Sequence, residues 1–139
     1  MTISKAQLEV AQARIKEKSL AELAYLELCD YRDLQGEYDA IVSIEMFEAV
    51  GEEYWPSYFD CVKRSLKPTG KALIQTITID EKHFERYRAG SDFIQQYIFP
   101  GGMLPSPERF MAHAAKYQLE TKNSFSFGLD YAETLRRWN

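Results

Sequence analysis

Two short β-branched runs, Ala40 to Ile44 and Lys71 to Ile79, stand on either side of a helical pattern from Glu53 to Leu66, and this order leaves few folds open. Runs of this kind, apolar with little alternation, suit strands covered on both faces, as in a parallel sheet. A strand, a helix and a strand in succession form a crossover unit, so the two strands are expected to be parallel with a right-handed connection. Lys67-Pro-Thr-Gly70 closes the helix, because proline cannot continue it.

The first run stops abruptly at two carboxylates, Glu45 and Glu48. In open α/β sheets the ligand crevice lies beyond the carboxyl ends of the strands, which is where this pair falls. Spacing alone also allows two solvated glutamates opening a helix, where negative charge meets the N-terminal dipole.

Around this centre the chain reads as further α/β elements. Ser4 and Gln7 have capping-box spacing, and Leu8, Ala11 and Ile15 give a surface helix of about four turns. Tyr25 to Cys29 is a short strand candidate. His83 to Tyr97 reads as helical, and Phe99 to Pro107 is a long turn-rich loop of the kind that covers something in a compact domain. Ser106 and Pro107 start a helix that runs to about Tyr117. Leu119 to Phe127 alternates as an outer strand would, and Tyr131 to Trp138 begins a further helix.

A chain of 139 residues is expected to be one domain. Its formal charge of -4, with Lys and Arg scattered, argues against a nucleic-acid partner. No apolar run approaches the roughly 18 residues that span a bilayer, and the amphipathic N-terminus does not read as a signal peptide; a cytoplasmic location is expected. Cys29 and Cys61 read as small core residues. His83 and His113 lack a second ligand at helical or hairpin spacing, and no metal site is expected.

Five motifs in one order then carry a resemblance: Asp30-Tyr-Arg-Asp-Leu34, Ser43 to Gly51, Leu66-Lys-Pro-x-Gly70, Gln75-Thr-Ile77 and Tyr97 to Ser106. From Thr2 to Trp138 the chain resembles the cyclopropane-fatty-acyl-phospholipid synthase family, which includes the mycolic acid cyclopropane synthases. The resemblance implies a Rossmann-like class I methyltransferase sheet with helices on both faces. It also implies S-adenosylmethionine as cofactor and an unsaturated fatty acyl lipid as substrate, reached by transient contact with a membrane surface. Family members hold a bicarbonate ion that takes a proton after methyl transfer. By resemblance, Glu48, Gln75, the Ile77 backbone and Tyr131 form that anion site, with Glu48, Gln75 and Tyr131 as the catalytic set. The resemblance further implies that Thr2, Ile3, Ser4, Gln7, Asp30, Tyr31, Ser43 and Ile44 lie along the cofactor. As isolated residues, Thr2, Ser4 and Gln7 equally read as a helix cap, and Tyr131 as a boundary aromatic with a wet hydroxyl.

Two departures from the family matter. Gln75 stands where histidine is common, and an amide has no titratable proton. Ala49 stands where the motif often continues with histidine. Both changes favour methylation of the acyl chain without ring closure. The 139 residues also contain no Gly-x-Gly turn, which such folds place after the first strand for close approach to the cofactor. Judged against the family, the sheet is expected to be truncated at both ends, to bind cofactor weakly alone and to dimerise through exposed strand edges. A non-catalytic remnant, a subunit completed by a second chain, and a small-molecule methyltransferase are the competing readings.

Overall fold

Strands β1 (Tyr38–Ile44) and β2 (Leu66–Gln75) pair in parallel, with Ala40 opposite Lys71 and Ile44 opposite Gln75. The computed structural model describes residues 1–91 and 93–138. Register shifts between Tyr38 and Ala40, because Tyr38 lies opposite Leu66 while Ala40 is already opposite Lys71. The Lys67 to Gly70 turn is thus a bulge inside β2, and the Lys67 ammonium pairs with Asp39 across it at 2.8 Å.

Five α-helices accompany the strands among the described residues: α1 (Lys5–Glu17), α2 (Trp55–Ser65), α3 (Glu81–Ala89), α4 (Pro107–Lys116) and α5 (Gly128–Trp138). Ser4 caps α1 by accepting from the Gln7 amide at 3.3 Å, as its spacing predicts. Asp80 caps α3 by accepting from the Lys82 amide, and Gly90 follows its last residue.

Helix α2 packs on the side of the sheet reached by Ile41 and Ile74, and α4 packs on α2. Phe47 sits at the centre of this core, with ring centroids 4.7 Å from Tyr58, 5.1 Å from Phe110, 5.4 Å from Trp55 and 5.5 Å from Phe59. Phe47, Trp55, Phe59 and Phe84 are fully buried, each stabilising the fold by about 2 kcal/mol through removal of apolar surface from water. The Trp55 indole donates to the Val50 carbonyl at 3.1 Å, so no polar cost accompanies its burial.

Several expectations are corrected. The Tyr25 to Cys29 segment forms one parallel bridge, Leu28 with Thr2, rather than a strand. Leu119 to Phe127 forms none, because a strand exists only through its ladder and no described backbone pairs with it. β2 ends at Gln75, four residues short of Ile79. The expected helix from His83 to Tyr97 stops at Ala89 and is followed by a π-helical turn, Ile94–Ile98. Helical cover is seen on one sheet face among the described residues. On the other, Val42 is 66% and Leu73 56% exposed, since successive strand residues face opposite ways and α1 buries no residue.

Helix α4 begins where Ser106 and Pro107 predict, and Ser106 is completely buried. Its hydroxyl accepts from the Arg109 amide at 3.1 Å and donates to the Glu81 carboxylate. Arg109 in turn lies 4.0 Å over the Phe84 ring and pairs with Glu81 and Glu85. Ser106→Ala is expected to cost about 1 kcal/mol, read from urea unfolding; no change in midpoint would show that the cap does not hold α4.

Candidate functional site

β1 ends because the chain turns through a left-handed glutamate. Glu45 has φ +48°, a conformation that costs a residue with a Cβ about 1 kcal/mol or more. Its backbone amide still donates to the Gln75 carbonyl at 3.0 Å, so the turn is made at the last rung of the ladder. A single turn of 3-10 helix, Phe47–Ala49, follows and sends Phe47 and Glu48 inward.

Glu48 is 6% exposed, and its carboxylate accepts from the Thr76 hydroxyl at 3.0 Å. The Glu48 carbonyl accepts from the Met103 amide at 3.1 Å, which ties the Phe99 to Pro105 loop onto the strand tip. That loop is also anchored at its far end, where the Ile79 amide donates to the Pro105 carbonyl at 2.9 Å. The Pro-Gly-Gly loop therefore covers the segment carrying Glu48, as its length and turn composition lead one to expect.

Gln75 turns to a different partner. Its side-chain Nε2 donates to Glu45 Oε1 at 3.1 Å. Gln75 and Thr76 are successive residues in extended chain and point apart; one meets Glu45, the other Glu48. No hydrogen bond joins Glu48 to Gln75 among the described residues. Tyr131 lies in the first turn of α5, where its amide donates to the Phe127 carbonyl, and its side chain is bonded to neither Glu48 nor Gln75. Ile77 is partly exposed, and its carbonyl accepts a 3.3 Å bond from Thr76. Two surface hollows are formed elsewhere, one lined by Arg32, Asp60, Arg64 and Tyr117, the other by Thr78, Asp80, Glu81 and Glu108. Neither is lined by Glu48, Gln75 or Tyr131.

The residues assigned to the cofactor fall into two groups. Thr2 donates to Gln7 Oε1 at 2.7 Å and accepts from the Ser4 amide, so all three are engaged around the start of α1, with Ile3 exposed beside them. Asp30 is gripped by the Arg32 guanidinium at 2.7 Å, and this hydrogen bonding holds its carboxyl below the usual range. Tyr31 stacks edge-on against Tyr58 with centroids 5.8 Å apart. The Ser43 and Tyr58 hydroxyls are buried facing each other, with no other hydrogen-bond partner among the described residues, and burial pushes Tyr58 up to about 12. Ile44 is half exposed at the strand end.

Reading the sequence missed Thr76 as the partner of Glu48 and Glu45 as the partner of Gln75. The signal was present in the register: two strands ending together at Ile44 and Gln75 bring the next residues of each within reach.

Comparison with known proteins places the fold and the family. The tuberculostearic acid methyltransferase UfaA1 of Mycobacterium tuberculosis is 38% identical over 139 residues, covering 99% of this chain and 33% of its own. The cyclopropane-fatty-acyl-phospholipid synthase of Escherichia coli is also 38% identical, over 99% of this chain and 34% of its own. The chain therefore spans about a third of the length of these relatives. Among solved structures, the cyclopropane synthase MmaA2 of Mycobacterium tuberculosis superposes with a TM-score of 0.78 at 27% identity, over 99% of this chain and 51% of that one. The mycolic acid cyclopropane synthase CmaA1, solved with S-adenosylhomocysteine, matches at 0.78 and 28%, with the same coverage. The fold is that of the class I methyltransferases. Residues 1–139 match the mycolic acid cyclopropane synthetase family from end to end, and the chain belongs to that family.

Proposed function

We propose that this chain is the acceptor-side core of an S-adenosylmethionine-dependent enzyme that methylates the cis double bond of an unsaturated fatty acyl lipid, without closing a ring. The observation that carries the reading is the buried Glu48, held by Thr76 beside a strand tip that also presents Glu45. Buried carboxylates are costly unless they serve a partner, and a site that handles a migrating positive charge supplies one.

The cofactor, when bound, supplies an electrophilic sulfonium methyl. Ile44 is the half-exposed residue at the end of β1, while the buried Ser43 hydroxyl before it is turned to Tyr58 in the core. Thr2, Gln7 and Asp30 are engaged with partners of the chain itself. An alkene is a poor nucleophile, so the residues must hold it close and dry. The exposed aromatic and aliphatic side chains of Phe93 to Phe99 suit an acyl chain. Once the methyl carbon leaves sulfur and bonds to one alkene carbon, positive charge lies on the acyl chain, and it is discharged when an adjacent carbon gives up its proton to the Glu48 carboxylate, leaving a methyl-branched alkene without a ring. Preorganised carboxylates at the strand tip stabilise that charge electrostatically. The glutamine at position 75 and the alanine at 49 remove two titratable groups from the tip.

The names of the relatives include both outcomes, a methyltransferase and a cyclopropane synthase. The test is product analysis from a full-length relative that carries both substitutions. Mass spectrometry and proton NMR of its lipids are expected to show a one-carbon gain without a ring; cyclopropane as the sole product rejects the proposal.

A second reading, a subunit completed by another polypeptide, is favoured by the bare sheet face at Val42 and Leu73. Co-purification with a chain carrying the glycine-rich half would support it.

A further inference from the structure

We infer that the hollow on the outer face of α2 is a binding site for a phosphate ester that carries an ammonium group. The site is separate from the strand tip, and the inference does not depend on the methyl-transfer reading.

Helix α2 turns Tyr58, Phe59 and Val62 into the core. This leaves Ser57, Asp60 and Arg64, spaced by three and four residues, together on an outward stripe. Arg32, from the turn before β1, and Tyr117, at the end of α4, close the sides, and Pro56 completes a hollow of about 380 Å³. A hollow of this size holds a small ligand.

Both guanidiniums are held in place before any ligand arrives. Arg64 donates to the carbonyls of Leu34 and Arg32, the second at 2.8 Å. Arg32 is gripped by the Asp30 carboxylate through Nε at 3.0 Å and Nη2 at 2.7 Å. Each thereby uses two of its five N–H groups, and three remain on each. A guanidinium fixed in this way loses little freedom when it meets a phosphate. The hydroxyls of Ser57 and Tyr117 are further donors, and neither has a hydrogen bond among the described residues.

The hollow also carries one acceptor with capacity to spare. Asp60 Oδ2 lies 3.9 Å from Arg64 Nε, an ion pair too long for a hydrogen bond. A lone phosphate is repelled by this carboxylate. A phosphate joined to an ammonium by a short spacer meets the guanidiniums with one end and Asp60 with the other, one helical turn away, where Cβ atoms stand about 6 Å apart. With Asp30 counted, two guanidiniums face two carboxylates, the balance that a zwitterion matches.

The test uses the 139-residue chain labelled with nitrogen-15 at low salt, with phosphoethanolamine and inorganic phosphate as separate probes. Phosphoethanolamine is expected to give saturable shifts of the Arg32 and Arg64 Nε–H signals, with a midpoint about threefold below that of inorganic phosphate, the contribution of one exposed ion pair. Asp60→Asn is expected to tighten inorganic phosphate and to abolish the preference. Arg32→Gln is expected to weaken both probes about threefold. Both side chains are more than half exposed, so neither change reaches the core, and backbone signals in the same spectra report the fold. Absence of saturable shifts, equal midpoints for the two probes in the wild type, or a preference that survives Asp60→Asn overturns the proposal. Vesicles whose lipids carry the phosphoethanolamine headgroup then identify the source of the ligand. Loss of the two Nε signals on the vesicles shows a headgroup; unaffected signals, with the soluble probe still bound, show a free phosphate ester. Failure here would leave the strand-tip reading intact, and a ring product from the full-length relative would leave this site intact.

Discussion

Phe47→Ala is expected to lower the stability of the chain by about 3–5 kcal/mol, measured as a fall in the urea midpoint with an unchanged slope. Phe47 is fully buried and touches aromatic rings from α2 and α4 at once. Its removal leaves a cavity whose lining is itself rigid and aromatic, so little collapse can offset the loss. Because Phe47 adjoins Glu48 in the same 3-10 turn, the site loosens with the core. Phe125→Ala is the control: Phe125 is 78% exposed and, among the described residues, stacks only on Phe127 at 6.0 Å. It should stay within about 0.5 kcal/mol. Similar losses in the two variants would show that Phe47 does not organise the core.

Gly102→Ala is the second large effect. A Cβ at this position would lie 2.7 Å from the Glu48 carbonyl oxygen, 3.1 Å from the Phe99 carbonyl and 3.2 Å from the Phe99 Cβ. All three are backbone or backbone-proximal atoms, which cannot swing aside as a flexible side chain would. The loop must lift, and the Met103 amide then parts from the Glu48 carbonyl it now meets at 3.1 Å. A cost of about 1–3 kcal/mol is expected, together with altered resonances for Glu48 and Thr76. Gly128→Ala separates steric conflict from a general glycine effect, since nothing lies within 4 Å of its Cβ. At the start of α5 it should be neutral or stabilising by about 0.5–1 kcal/mol. Equal losses at both positions would refute the close approach.

Much of this architecture is legible in the residues themselves. The β1, α2, β2 unit follows from two β-branched runs flanking an amphipathic helix, and α1 and α4 follow from Ser4 and Ser106 at their caps. These are local signals, fixed by neighbours one to four residues away. The isolated strand pattern of Leu119 to Phe127 misleads for the complementary reason. Alternation records which side chains would share a face, and says nothing of whether a backbone is available to pair. The same limit applies to the Tyr25 segment, which finds one bridge to Thr2.

At the site the division is sharper. The run of apolar residues ending in acid, and the covering loop of proline and glycine, can be read without coordinates. Which carboxylate meets which partner cannot. Glu45 and Glu48 are three residues apart, yet one, on left-handed backbone, is bonded to Gln75 and the other is buried against Thr76. Those pairings join residues 28 and 30 positions apart, and depend on the register that sets Ile44 opposite Gln75. Local composition determined the elements and the chemistry that each could offer. Only the parallel pairing of the two strands decided how that chemistry was shared, because side-chain contacts at a sheet's end are set by the ladder that brings the two ends together.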